Sequence, residues 1–212
     1  MDKADVWRLT HRERAAMADT LEELKPDQWT EPSLCTGWSV QVCAAHILAG
    51  AEQTKTGFVT GMAKAGFRFN TMIDRDARRL GTLAPAEIIR RLRARTTTTN
   101  GPGTAPAVLL GEIVVHGGDI RYPLGLVHEP SPEAILACFE TYKGLGFPLG
   151  VKQRTEGLRL VATDVDWSHG TGPEISGPAL PLMLAMTGRA AAAAELTGAG
   201  LDTLRAKMPA VS

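Results

Sequence analysis

The sequence predicts a mainly α fold, a helical bundle over residues 1–128 followed by a small α+β unit over 131–212. Helical signals dominate the chain up to about Gly125, and a linker follows at Leu126 to Ser131. After Gly150 the pattern changes: Leu158-Arg-Leu-Val-Ala-Thr-Asp164 alternates with the two-residue period of a strand. The chain has 212 residues, enough for one large domain or for a medium one with a small companion.

A first helix reads from Asp5 to Leu24. Pro26 cannot continue it, because proline lacks the amide hydrogen and its ring clashes with the preceding turn. Pro26 to Trp29 reads as a short helical turn. Ser39 is a good N-cap, since its hydroxyl accepts a bond from an otherwise unmatched amide. It opens a second long helix that carries His46 and runs towards Gly57 or Gly66. A third helical segment spans Asn70 to Leu80. Another starts at Thr82, with Ile88, Ile89 and Leu92 on one face and Arg90, Arg91, Arg93 and Arg95 around it. Thr96 to Thr99 are β-branched and poor in helix, and Gly101-Pro-Gly103 is a break. The last helix of this half runs from about Pro106 to Arg121, and Pro123 and Gly125 end it. This is a four-helix pattern with connections of mixed length.

In the second half, Ser131-Pro-Glu133 joins an N-cap to a proline at the first helical position, so a helix starts there and runs to about Leu145. Leu158 to Asp164 is the one clear strand, with Thr171 to Gly177 as a short partner. Pro178 to Gly188 and the alanine run Ala190 to Ala194 read as helices.

Lysine plus arginine equals aspartate plus glutamate, 23 of each, so the whole chain is not steered to nucleic acid. The stretch from Lys55 to Arg95 is locally basic, with only Asp74, Asp76 and Glu87 as acids, and could face an anionic ligand. The N-terminal residues carry no apolar signal region, and no run of about 18 apolar residues offers a membrane span. Cys35, Cys43 and Cys138 are an odd set without paired spacing, the usage of a cytoplasmic protein with reduced thiols. A phosphate-binding glycine loop, a dinucleotide fingerprint and a nucleophile elbow are all missing from the sequence.

The chemistry concentrates in Gly111-Glu-Ile-Val-Val-His-Gly-Gly-Asp-Ile-Arg121. Residues four apart on a helix project from one face, so Glu112 and His116 stand together. A carboxylate and an imidazole on one helical face are how bundles build divalent metal sites. The alternative is a solvated face. Ile113, Val114 and Val115 count against it, because they make this helix mostly buried, and a buried Glu and His must be paired or bind something. One helix cannot complete the site, and His46 is the candidate from another; the alternative for His46 is a hydrogen-bonded core residue. Cys43 lies on the same face as His46 and competes as a soft ligand. Asp119 is a further ligand, a carboxylate that orients a histidine ring, or a helix-end partner of Arg121. Cys35 sits in a loop with nothing in the sequence to mark it as activated.

Several blocks together resemble the mycothiol-dependent maleylpyruvate isomerase family of the DinB-like superfamily. They are Leu24-Lys-Pro-Asp-Gln-Trp-Thr-Glu-Pro-Ser33, Gly37-Trp-Ser-Val40 with His46, Glu112 and His116 with Asp119-Ile-Arg121, and Gly177 to Arg189 with Leu196 to Gly200. The resemblance implies a DinB-like four-helix bundle and a sterol-carrier-like C-terminal domain. It implies an open metal site of His46, Glu112 and His116, with zinc the expected ion, although nickel, cobalt and iron suit the same donors. It implies mycothiol, or a similar small thiol, as cosubstrate in isomerisation or S-transfer. Arg189, in Thr187-Gly-Arg189, falls where the family's isomerases need an arginine. Two departures stand out: Val42 replaces an acidic residue often found early in the His46 helix, and the C-terminal unit is short.

The leading expectation is therefore a metal-dependent thiol transferase or isomerase, with Asp119, Arg121 and Arg189 as the reacting or substrate-holding side chains. In this reading Arg121 or Arg189 grips a substrate carboxylate. Two readings compete: a non-catalytic metal-binding regulatory module that uses the basic stretch, and a metal-dependent hydrolase with Asp119 as base. The expected partners are a small thiol and a small electrophile, with a homodimer left open and no membrane or nucleic acid.

Overall fold

The structure, a computed structural model, describes residues 1–208; positions 209–212 of the expected C-terminal unit lie outside them. The chain divides into two compact units, at Val127 and His128.

The first unit is all helical: α1 Lys3–Glu23, α2 Val40–Glu52, α3 Lys55–Lys64, α4 Phe69–Leu80, α5 Pro85–Arg93 and α6 Pro106–Arg121, with a short 3-10 turn at Asp27–Thr30. α1 packs on α6 and α5, and α2 packs on α6 and α5, which closes a ring of four helices; α4 lies on the outside of α2. α1 sits there because Val6, Leu9, Thr10, Glu13, Met17 and Leu21 form one buried stripe at helical spacing. Asp2 caps it, accepting from the amide of Asp5 at 2.8 Å.

α2 is shorter than expected. It ends at Glu52 because Gln53 and Thr54 are extended, and Thr54 caps a new helix by accepting from Gly57 at 3.0 Å. A threonine that can satisfy the first amides of a fresh helix competes with continuation of the old one.

Five arginines of the basic stretch meet acids. Arg75 meets Asp76, Arg78 meets Asp74, Arg90 meets Glu87, and Arg91 meets Glu52. Arg93 reaches Asp19 and Glu22 on α1. An anion at these five arginines would have to displace their carboxylates.

The second unit contains α7 Pro132–Tyr142, α8 Val151–Thr155, β1 Arg159–Ala162, β2 Ser168–His169, β3 Glu174–Gly177, α9 Ala179–Met186 and α10 Leu201–Ala206. The sheet order is β2-β1-β3, with β1 antiparallel to β2 and parallel to β3. Leu160 pairs with Ile175 and both are fully buried, so the alternation read in the sequence points one face inward. The sheet thus has three strands where one was clear, because β2 is too short to show a period. The alanine run is a 3-10 helix rather than an α-helix, Ala190–Glu195. α9 is apolar all round and packs on α7, α8, β1 and β3. Phe139 stacks on Trp167 at 3.9 Å between ring centres.

Candidate metal centre

The site lies within the first unit, where α2, α6 and the loop between the 3-10 turn and α2 meet. His46 projects from the middle of α2, with its side chain 9% exposed. Glu112 and His116 project from α6, one turn apart. His46 Nε2 stands 3.5 Å from Glu112 Oε2, and His116 Nε2 stands 3.6 Å from the same oxygen. The His46 and His116 rings meet edge to face at 4.5 Å, and Trp38 tilts against His46 at 5.1 Å. Glu112 departs from the expectation of full burial: its side chain is 38% exposed, so the cluster opens towards solvent on that side.

One donor atom from each of these three residues lies within 4.8 Å of the others. Zinc bonds to nitrogen and oxygen are about 2.0–2.1 Å, which places tetrahedral donors roughly 3.3 Å apart. The two measured separations are close to that value, so the set fits a divalent ion. It also leaves a fourth tetrahedral position for a small molecule.

Asp119 is fully buried one turn beyond His116, and its Oδ2 accepts from His116 Nδ1 at 2.8 Å. This bond holds the Nδ1 hydrogen and turns Nε2 towards Glu112, the orientation used behind a metal-bound histidine.

Sequence reasoning did not place Cys35 here, yet its Sγ donates to Asp119 Oδ2 at 3.0 Å and lies 3.5 Å from His116 Nδ1. The loop is pinned for this. The amide of Leu34 donates to the Asp119 carbonyl at 3.0 Å, and the amide of Trp38 closes the turn on the Cys35 carbonyl. Cys43, fully buried on α2, joins from the other side, and Cys35, Cys43, His116 and Asp119 form a second cluster of close donor atoms. The available signal was position: Cys35 falls between two of the blocks that carry the family resemblance.

The groups tune one another. The Cys35 thiol is lowered to about 6, first by the hydrogen bond with Cys43, against burial, and with help from the charge on His116. Burial, then the charge of His116, holds His46 below its ordinary value. Burial pushes Glu112 up, but hydrogen bonds from His116 and His46 outweigh it and leave the carboxylate ionised. Burial also disfavours a charged His116, yet Cys35, Asp119 and Glu112 together raise it well above the ordinary range.

Arg121 is not brought to this cluster. Arg121 lies two positions past Asp119 and therefore points to the opposite side of α6. Its Nε and Nη2 donate to Thr20 and its Nη2 to the Ala16 carbonyl, all on α1, which corrects its reading as a substrate clamp. Gly117 makes room for it, since a Cβ there would stand 2.9 Å from Arg121 Nη1. Arg189 belongs to the second unit, where its Nη1 donates to the Thr187 carbonyl at 2.9 Å.

A four-helix ring with a half-open His, Glu, His donor set is an arrangement in which helix bundles can hold a metal. Residues 10–101 match the family model described as the mycothiol maleylpyruvate isomerase N-terminal domain. His46 lies inside the matched stretch, and Glu112 and His116 lie beyond it. The fold is shared more widely. A crystal structure of the mycothiol-dependent maleylpyruvate isomerase aligns with a TM-score of 0.65 at 17% identity, covering 94% of this chain and 93% of that one. A histidine-to-alanine mutant of that enzyme aligns with a TM-score of 0.64 at 16% identity over the same shares. No curated protein sequence matches the chain. Among the described residues, no helix is long and apolar enough to cross a membrane.

Proposed function

We propose that this protein is a thiol-dependent isomerase or S-transferase, in which His46, Glu112 and His116 hold a divalent ion and mycothiol or a similar small thiol is the cosubstrate. The observation that carries this reading is the triangle of donors at zinc-like separations in a bundle whose sequence family is named for mycothiol. When bound there, a divalent cation would favour the thiolate of an incoming thiol over its protonated form. The protein's own groups do the rest. Asp119 fixes the tautomer and tilt of His116, α2 and α6 set the donor spacing, and the exposed side of Glu112 gives the thiol its approach.

In the isomerase version the thiol sulfur adds to one carbon of an activated double bond. The resulting single bond rotates, and elimination restores the double bond and returns the thiol unchanged. In the transferase version the sulfur stays on the electrophile. Arg189 keeps the part the resemblance gives it, a residue that the isomerisation requires. The hydrolase alternative loses ground, because its candidate base, Asp119, already accepts from His116 and Cys35.

The test is conversion of maleylpyruvate, and of a panel of other electrophiles, by metal-loaded and metal-stripped protein with and without mycothiol. Turnover should require both metal and thiol. Turnover that is unaffected by omitting the thiol would overturn the reading.

A further inference from the structure

The two sulfurs beside Asp119 have no part in the donor triangle, and their placement has chemistry of its own. Cys35 is carried by a loop, and Cys43 by the second turn of α2. The two sulfurs lie within 4.8 Å of each other. Disulfide closure brings sulfurs to about 2.05 Å. The remaining approach falls to the loop side, since α2 is packed on three helices. Exposure differs sharply across the pair: Cys35 is part-exposed and Cys43 is fully buried.

We propose that Cys35 and Cys43 form a thiol–disulfide exchange pair that takes small organic disulfides, with Cys35 as the attacking sulfur and Cys43 as the resolving one. In the first step the Cys35 sulfur attacks one sulfur of a disulfide RSSR. A bond forms between Cys35 and that sulfur, the RS–SR bond breaks, and one RSH leaves with the Cys35 proton. In the second step the Cys43 sulfur attacks the Cys35 sulfur of the mixed disulfide. The protein disulfide forms, and the second RSH leaves with the Cys43 proton. The two protein thiols are oxidised and the small disulfide is reduced to two thiols, so atoms and electrons balance. Burial sets the order, because an external disulfide meets Cys35 first and Cys43 is reached only from within.

This inference stands apart from the proposed function, since it needs neither a metal nor a small-thiol cosubstrate. The experiment exposes the full-length, as-isolated protein to bis(2-hydroxyethyl) disulfide and reads intact and peptide masses. The wild-type chain should lose two hydrogens and yield a Cys35–Cys43 cross-linked peptide, with Cys138 unmodified. Cys43→Ser should stop at a stable mixed disulfide on Cys35, and Cys35→Ser should gain nothing at position 43. A Cys43→Ala variant repeats the test should a buried hydroxyl upset folding. Retention of both thiols in the wild type under conditions that fully oxidise an exposed peptide thiol would overturn the proposal. An adduct on Cys43 in Cys35→Ser would overturn the assigned order.

Discussion

The two units bury different things. In the first, Glu13, Arg14, His46, Asp119 and Arg121 are all buried; in the second, the buried polar side chains among the described residues are Thr155 and Thr187. Both threonines donate to the carbonyl one turn back in their own helix, Val151 and Met183, and so need nothing from the fold. The buried ionisable groups of the first unit can be kept only by specific partners, because an unmatched charge in a low-dielectric interior is costly. Arg121 has α1, Arg14 has the Thr98 carbonyl at 2.8 Å, and Asp119 has His116 and Cys35. The difference teaches that the first unit's interior is organised around partnered ionisable groups and the second's around apolar packing.

Substitutions can break that contrast or sharpen it. The largest effect is expected at His116→Ala, which removes one of three donors and should abolish stoichiometric metal, read by elemental analysis of purified protein. Metal content equal to wild type would sink the assignment. Next, Leu160→Ala opens a cavity in the centre of the small sheet and should cost roughly 2–5 kcal/mol in chemical denaturation of the second unit. Metal content should remain; parallel loss of metal would mean that the two units are not separable in this way.

A smaller effect is expected at Asp119→Asn, which keeps the shape but weakens the hold on His116. Metal affinity, measured by competition with a chromophoric chelator, should fall about 10–100-fold. An unchanged affinity would remove Asp119 from the metal centre. The smallest effects are those of the helix caps. Ser39 and Ser131 accept from Val42 at 3.3 Å and Ala134 at 3.4 Å. Loss of either hydroxyl by Ser→Ala should cost about 1 kcal/mol of stability. Only the Ser39 change should also weaken metal binding, because α2 carries His46. An equal metal response to both would erase the distinction between the units.

Much of this was legible in the residues themselves. Helix periods, proline stops and serine caps located α1, α6 and α7 to within a few positions, because these signals act between neighbours in sequence. The face shared by Glu112 and His116 followed from helical geometry alone. Short elements were not legible: β2 has two residues, and α8 and α10 are too short to display a period. The stop of α2 at Glu52 turned on a local competition at Thr54 that the apolar pattern does not register.

What the sequence determined by itself is therefore most of the long helices, the change to a small mixed unit, and the presence of one carboxylate–imidazole pair on a helix face. What tertiary structure alone decided is company. Cys35 and Asp119 are 84 positions apart, and only the folding of the loop onto the end of α6 brings the thiol to the carboxylate. Arg121, two residues from Asp119 in sequence, was turned away from it by the helical rotation and claimed by α1. Periodicity says which side of a helix a residue occupies, but not which helix or loop will cover that side. The covering element is chosen by the packing of the whole bundle, and with it the partners of every buried charge.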